Sequence, residues 1–99
     1  MYATIRTYAD APELADELAA RREEIEELIS TVPGFRGYFL TKTDGGCATI
    51  SVFDDASGAE ESTRRAKQWL ADHEGEISSP PMQVWQGDVL VQFGALARV

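Results

Sequence analysis

Apolar and polar positions follow regular spacings along the chain and predict six elements of secondary structure. Segments rich in β-branched and aromatic residues, each bounded by turn residues, predict strands at 2–8, 37–43, 47–53 and 83–93. Apolar residues at helical spacing predict a first helix from about Pro12 to Thr31 and a second helix from about Ser57 to His73. The order β-α-β-β-α-β predicts a ferredoxin-like α+β fold with a four-stranded antiparallel sheet.

Residues with turn and capping preferences set the ends of these elements. Asp10 is interpreted as the N-cap of the first helix, which ends at Val32-Pro33-Gly34 because proline blocks helix propagation. Asp44-Gly45-Gly46 predicts a tight hairpin between the two middle strands. Ser57 begins a capping-box pattern at the second helix, and Gly87-Asp88 predicts a bulge or bend in the last strand.

Large apolar side chains lie on both faces of the predicted strands. In the second strand Tyr38 and Leu40 point away from Phe39, and in the third strand Ile50 points away from Phe53. When helices cover one face of an antiparallel sheet, a soluble monomer carries mostly polar side chains on the other face. Because apolar groups occupy both faces here, the pattern predicts a homodimer that packs sheet against sheet, forming a barrel.

The net charge excludes two classes of partner. The chain has 17 acidic and nine basic residues, which gives a formal charge of −8. Nucleic acids and anionic membrane surfaces attract clusters of Lys and Arg, so we expect neither as a partner. The acidic surface is interpreted as a solvated one that keeps the protein dispersed, and adaptation to high salt is the alternative hypothesis.

Length and cysteine content indicate one domain, over residues 1–99, in a reducing compartment. Ninety-nine residues fit a single core. No apolar run approaches the roughly 18 residues of a membrane span, and the opening MYATIRTY is typical of a strand rather than a signal peptide. Cys47 is the only cysteine, so no intramolecular disulfide forms, and we expect a cytoplasmic location.

Four short segments carry a resemblance to a known family. They are Tyr2-Ala3-Thr4-Ile5-Arg6, Val32 to Tyr38 with its Pro-Gly-Phe element, Ser51-Val52-Phe53, and Ala59-Glu60-Glu61-Ser62. Over about residues 2–93 the chain resembles the antibiotic biosynthesis monooxygenase-like group of the dimeric α/β-barrel superfamily. Members of that group include cofactor-free oxygenases of polyketide aromatics or quinols, haem-degrading enzymes and proteins of no established activity. The resemblance therefore implies a fold more firmly than a reaction.

The haem-degrading members imply a residue pattern that this chain does not follow. Those enzymes use an Asn on the first strand, with a Trp and a His on the second helix. Trp69 stands where such a tryptophan would be, but the chain contains no asparagine, and His73 follows Trp69 by only four residues. We therefore expect no haem and no other cofactor.

Arg6, Trp69 and His73 are the candidate catalytic residues. A guanidinium in the middle of a strand covered on both faces is costly unless paired, so Arg6 either pairs with a carboxylate across the dimer or binds a phenolate or carboxylate in a pocket. Trp69 lies either in the core or on the wall of a cleft between helix and sheet. His73 serves either as a general base or as a cap at the helix C-terminus.

Three aromatic residues are candidate ligand contacts, and each has a structural alternative. Tyr38 supplies a hydroxyl that can orient a ligand, as Tyr2 and Tyr8 also can, while Phe39 and Phe53 supply apolar walls. All of these residues equally suit a strand in a core or an interface.

Other kinds of site are excluded or have a structural reading. One Cys and one His exclude a zinc site of the Cys/His type, and we expect no metal. Gly45-Gly46 belongs to a hairpin and not to a phosphate-binding loop, and Ser78-Ser79-Pro80 is a loop without base partners. Asp54-Asp55 is interpreted as a helix cap.

Two functions of different classes remain open from the sequence. The first is cofactor-independent oxidation of a small aromatic or quinol-like substrate, with Arg6 stabilising the substrate anion. The second is a non-catalytic dimeric module that binds a small apolar molecule or has a structural role. The sequence indicates no convincing pair of acid and base, so it does not decide between them.

Overall fold

Strand-forming residues assemble into one antiparallel sheet, with helices on one of its faces. The computed structural model of the protein describes residues 1–77 and 81–94. Its elements are β1 (Tyr2–Tyr8), α1 (Leu14–Ala20), α2 (Arg22–Ser30), β2 (Phe35–Thr43), β3 (Gly46–Phe53), α3 (Ala56–Asp72) and β4 (Gln83–Asp88). The sheet order β2-β3-β1-β4, antiparallel throughout, confirms the predicted ferredoxin-like arrangement.

The core lies between the sheet and the helices. Alternate residues of β1 and β3 are buried there, including Tyr8, Cys47 and Phe53, because successive side chains of a strand point to opposite faces. One apolar cluster joins Tyr8 and Cys47 to α1 and Trp69, and a second joins Phe53 to Ile29.

The first predicted helix is in fact two helices, which corrects the single element predicted over Pro12 to Thr31. The break lies at Arg21, which has φ −108° and ψ 31°. No glycine or proline marks this point in the sequence. The guanidinium of Arg21 lies 6.0 Å from the centre of the Trp69 ring and pairs with Glu76 at 3.6 Å. The break therefore coincides with contacts between Arg21 and residues that are distant in the sequence. The spacing of apolar residues within the helix does not reveal such contacts.

The predicted helix caps are displaced. Asp10 has φ 56° and does not cap α1, whose first turn follows Glu13 without a side-chain cap. Asp55 is the N-cap of α3, because its carboxylate accepts a hydrogen bond from the Ser57 backbone N–H at 3.0 Å. This confirms the capping role predicted for Asp54-Asp55 and shows that the N-cap predicted at Ser57 is wrong. A carboxylate two residues before a serine competes with it for the same role, and both types are good caps.

The hairpin is confirmed and the last strand is shorter than predicted. Thr43 pairs with Gly46 across a two-residue turn, in which Gly45 has φ 75°. β4 ends at Asp88 and does not continue to Phe93; beyond it, the Val89 backbone N–H donates one further hydrogen bond to the Met1 carbonyl oxygen at 2.9 Å. The loop predicted at 78–80 lies outside the described residues.

The face of the sheet that the helices leave open carries an apolar row. Phe39 pairs with Ile50, Ile50 with Ile5, and Ile5 with Trp85, so one side chain from each strand contributes to the row. Phe39 is 41% exposed and Trp85 is 54% exposed. The two-sided distribution of apolar residues that the sequence predicts is therefore present.

Gly58 tests how tightly α3 packs on the sheet. A Cβ at this position would lie 2.8 Å from the Cβ and 2.9 Å from the Cγ of Phe53. The backbone fixes the Cβ of Phe53, so no rotation of the side chain relieves the shorter contact. We expect Gly58→Ala to lower the free energy of unfolding by about 1–3 kcal/mol, more than the helix propensity of alanine returns. Urea denaturation measures the change. Gly37→Ala, where a Cβ meets no atom within 4 Å, is the control, and equal midpoints for the two variants would contradict the packing argument.

Candidate ligand-binding site

Arg6 is buried between the sheet and α3. It lies on β1, a central strand, with its side chain on the face that the helices cover, and only 1% of its surface is exposed. Its guanidinium donates hydrogen bonds to the hydroxyls of Ser51 at 3.1 Å, Ser62 at 3.3 Å and Thr63 at 2.9 Å. β3 and α3 thus hold the guanidinium in place with neutral groups.

Among the described residues no carboxylate forms an ion pair with Arg6. Every carboxylate that pairs with an arginine or lysine does so elsewhere on the chain. Burial lowers the pKa of the guanidinium, which is the direction expected when a cation leaves water without a counter-ion. The alternative that Arg6 pairs across a dimer of the open faces is not supported, because the side chain points toward the helices.

An inner cavity of about 30 Å³ borders Arg6. Its lining includes Tyr8, Tyr38, Thr49 and Trp69, and α1 and α2 close it with leucine and isoleucine side chains. Thr49 faces Arg6 across the β1–β3 pair, and its buried hydroxyl has no hydrogen-bond partner among the described residues. The cavity therefore combines apolar walls, a cation and an unused hydroxyl.

The two tyrosines of the inner cavity are neutral at physiological pH. Burial raises the pKa of Tyr8 and of Tyr38 to about 12, although the positive charge of Arg6 acts in the opposite direction on both. Tyr38 can donate a hydrogen bond to a ligand, whereas the Tyr8 hydroxyl donates one to the Met82 sulfur at 4.0 Å, and neither acts as a base near neutral pH.

An outer groove of about 460 Å³ runs between α1, α2 and the edge strand β2. Its lining is mainly apolar and includes Leu18, Ile25, Ile29, Phe35 and Leu40. Leu18, Ile25, Ile29 and Tyr38 line both the groove and the inner cavity. The two spaces share this wall, and the size of the groove suits a small organic molecule.

The structure brings three of the six predicted site residues together. Arg6, Tyr38 and Trp69 all line the inner cavity. Trp69 is 9% exposed and is part of the helical face that packs on the sheet, rather than on its flank as the sequence pattern predicts.

His73 does not line the inner cavity, although its ring stacks on that of Trp69 with 4.1 Å between ring centres. It is the C-cap of α3, with its Nδ1 2.7 Å from the carbonyl oxygen of Trp69 and its Nε2 3.6 Å from a Glu24 carboxylate oxygen. The position agrees with the capping alternative. A role for His73 as the general base at Arg6 is not supported by this geometry, because the ring lies outside the lining of both the cavity and the groove.

Phe39 and Phe53 also lie elsewhere, which corrects their placement as pocket walls. Phe39 belongs to the open face of the sheet, opposite the face of Arg6. Phe53 is fully buried at the other end of the core, where its ring meets that of Phe35 edge-on with 6.0 Å between ring centres. Strand alternation identifies the face of Phe39, but only the β3–β1 register shows that Phe53 is distant from Arg6.

Several residues of the site were not predicted. Ser51, Ser62 and Thr63 bind the guanidinium, and Thr49 lines the cavity, whereas Tyr8, which also lines it, is one of the tyrosines that the sequence offered as a ligand contact. The sequence of β3 did contain a signal. Along this strand small polar residues alternate with apolar ones, so the small polar residues share one face of the sheet, and this is the face on which Arg6 is buried. Such a run of hydroxyls opposite a mid-strand arginine indicates a polar cluster within a core.

The described residues contain neither a metal site nor a membrane helix. No group of three or more His, Cys, Asp or Glu side chains could hold a metal ion over residues 1–77 and 81–94. No helix in the same ranges is both long enough and apolar enough to span a bilayer.

The fold is shared with several solved structures. One is a candidate antibiotic biosynthesis monooxygenase from Nitrosomonas europaea, with a TM-score of 0.68 and 12% identity, where the match covers 92% of this chain and 100% of that one. Another is the haem degrader MhuD from Mycobacterium tuberculosis with two haems in its active site, with a TM-score of 0.65, 15% identity and coverage of 95% and 100%.

A third similar structure is a dimeric ferredoxin-like protein from an uncultured marine organism, with a TM-score of 0.67, 11% identity and coverage of 95% and 97%. No protein-family model and no curated protein sequence matches the chain. The structural likenesses confirm the predicted resemblance to antibiotic biosynthesis monooxygenase-like proteins at the level of the fold.

The residues present do not fit a haem iron. Proteins hold haem iron through His, Cys, Met or Tyr. His73 lines neither the groove nor the inner cavity, and Cys47 and Met82 are absent from both linings as well. The raised pKa of Tyr8 and Tyr38 disfavours the tyrosinate that would bind iron.

The tyrosine pKa values predict how stability responds to alkali. An unfolded tyrosine loses its proton near pH 10, whereas Tyr8 and Tyr38 in the folded protein lose theirs at about 12. Between these values the folded state binds more protons, so the free energy of unfolding is unaffected below pH 10 and falls as pH rises to 12. Urea denaturation from pH 8 to 12 measures this fall, which we expect to be smaller in the double variant Tyr8→Phe, Tyr38→Phe. An identical fall in both proteins would contradict it.

Proposed function

We propose that the protein binds a small aromatic or quinol-like molecule in the outer groove and inner cavity and oxidises it with O₂, without a cofactor. One observation carries the proposal: Arg6 is buried beside a cavity, with no carboxylate of the described residues to neutralise it. A preorganised cation in a dry site stabilises an anion that forms there far more than water does.

The proposed reaction begins with a substrate anion. Arg6 favours the enolate or phenolate over its protonated form, and the proton leaves to solvent along the groove. The anion passes one electron to O₂, and the two radicals combine to form a peroxide at carbon. For an anthrone, the peroxide anion takes up a proton from solvent. The peroxide-bearing carbon then gives up its remaining proton, cleavage of the O–O bond releases hydroxide and leaves the quinone, and that proton and hydroxide form water. Tyr38 donates a hydrogen bond to the substrate oxygen, and the apolar walls exclude water.

Assembly and location complete the proposal. A homodimer covers the apolar row of Phe39, Ile50, Ile5 and Trp85, which would otherwise remain in water. One of the structurally similar proteins is described as dimeric, which supports this assembly. The buried, unpaired thiol of Cys47 suits the reducing cytoplasm.

The catalytic proposal predicts a turnover that depends on Arg6. We expect oxygen uptake and quinone formation when the protein is incubated with an anthrone or a quinol under air, followed by an oxygen electrode and by absorbance. Arg6→Met should lower kcat/KM by about 10²- to 10³-fold, because a donor to the developing anion is lost. Arg36→Met is the matched control, since Arg36 is exposed and pairs with Asp54. Equal activity of the two variants would contradict the role of Arg6.

The dimer predicts a change in mass when the apolar row is charged. Light scattering should give about twice 10.9 kDa for the protein at micromolar concentration. Ile50→Glu places a carboxylate in the middle of the row and should give the monomer mass, because a buried unpaired charge is costly. Gln68→Glu, on the exposed side of α3, is the control. A monomeric wild-type protein would contradict the assembly.

A non-catalytic ligand-binding module is the second candidate. One observation favours it: the only histidine, His73, lies outside the cavity, so no base of the described residues stands beside Arg6. Under this alternative the same ligands protect the protein against thermal unfolding but cause no oxygen uptake. The two measurements on one sample separate the candidates.

A further inference from the structure

The inner cavity contains a positive charge that a negatively charged ligand would neutralise. Arg6 has hydrogen bonds to three hydroxyls, which satisfy part of its five-donor guanidinium but leave its positive charge uncompensated. Residues 78–80 and 95–99 contain no Asp or Glu, so these segments supply no side-chain carboxylate either. The missing partner of Arg6 is an anion that the side chains of this chain do not provide.

Two threonines offer further unused hydrogen bonds beside this cation. The hydroxyls of Thr4 and Thr49 are buried and have no partner among the described residues, and both residues lie on the same sheet face as Arg6. Thr49 also lines the inner cavity. A buried hydroxyl without a partner costs free energy, so this arrangement is more stable when an acceptor is present.

The size of the two spaces restricts the ligand. The inner cavity, at about 30 Å³, has room for a group of a few atoms and not for an aromatic ring. The outer groove, at about 460 Å³, is large and mainly apolar, and it shares Leu18, Ile25, Ile29 and Tyr38 with the inner cavity. A ligand that fills both has a small anionic head and a larger apolar body.

The overall charge restricts the ligand further. At −8 the protein repels multiply charged anions such as phosphate esters, and the inner cavity holds one cation. A ligand with a single negative charge balances Arg6 without leaving a second charge buried.

We propose that the site binds a monocarboxylate with an aromatic or other apolar body, with its carboxylate against Arg6 and Thr49 in the inner cavity and its body in the outer groove. This inference uses the site of the proposed function and goes beyond it, because a carboxylate at Arg6 takes the position that the enolate or phenolate oxygen of an oxygenase substrate would occupy. The planar guanidinium matches the geometry of a carboxylate, and Tyr38 is a neutral donor in the lining of the same cavity.

Calorimetric titration with 2-naphthoate, 2-naphthamide and acetate tests the proposal. The naphthamide has the same shape without the charge, and acetate has the charge without the body. We expect naphthoate to bind, naphthamide to bind about 10- to 100-fold more weakly, and acetate to bind weakly or not at all. No binding of naphthoate, or equal binding of naphthamide, would overturn the carboxylate assignment. Acetate as tight as naphthoate would overturn the role of the groove.

Three variants locate the binding. Arg6→Met should weaken naphthoate about 10- to 100-fold and bring it level with naphthamide, whereas Thr49→Val should weaken it about 3- to 10-fold. Arg36→Met should leave it unchanged. Thermal denaturation confirms that each variant is folded, and we expect Arg6→Met to fold because it removes a buried charge. If Arg6→Met is not folded, Thr49→Val decides the question, and unchanged affinity in that variant would overturn the proposal.

The outcomes for binding and for catalysis are separable. Arg6-dependent binding of naphthoate without any oxygen uptake from quinols would support this inference and contradict the oxygenase. Oxidation of a neutral quinol that naphthoate does not inhibit would support the oxygenase and overturn the inference.

Discussion

A single buried guanidinium determines the organisation of this protein. Arg6 stands on the central strand β1, and residues of β3 and α3 bind it through their hydroxyls, so the same contacts connect the sheet to its longest helix and create a polar centre in the core. An apolar residue there would pack with less free-energy cost, because a buried cation without a counter-ion is unfavourable. The positive charge of Arg6 is explained by the binding of an anion to the folded protein.

The sequence predicts the fold well because the fold depends on patterns that are local. Three such patterns are the alternation along the strands, the Asp44-Gly45 turn and the helical spacing of α3. The residues that form each pattern are only a few positions apart in the sequence. The misplaced features are those fixed by distant contacts or by competing neighbours. The break at Arg21 coincides with contacts to Trp69 and Glu76, and the cap of α3 goes to Asp55 rather than to a serine of similar preference.

The site is less predictable for a related reason. Arg6, Tyr38 and Trp69 could be selected by residue type, but their convergence requires the register between β1 and β3 and the rotation of α3. Phe39 and Phe53 have the same aromatic character as Tyr38, yet one belongs to the open face and the other to a separate cluster. Hydroxyl residues such as Ser62 give almost no signal on their own, because serine on a helix usually faces water.

The position of β1 in the sheet also governs how a molecule reaches the cavity. β1 and β3 are hydrogen-bonded on both sides, so the floor of the site belongs to the part of the protein that opens last in local unfolding. The roof consists of α1 and α2, two short helices joined at a break, whose leucine and isoleucine side chains separate the groove from Arg6. A ligand can therefore reach Arg6 from the groove only if these roof side chains move aside, whereas the hydroxyls that hold Arg6 belong to β3 and α3 and need not move.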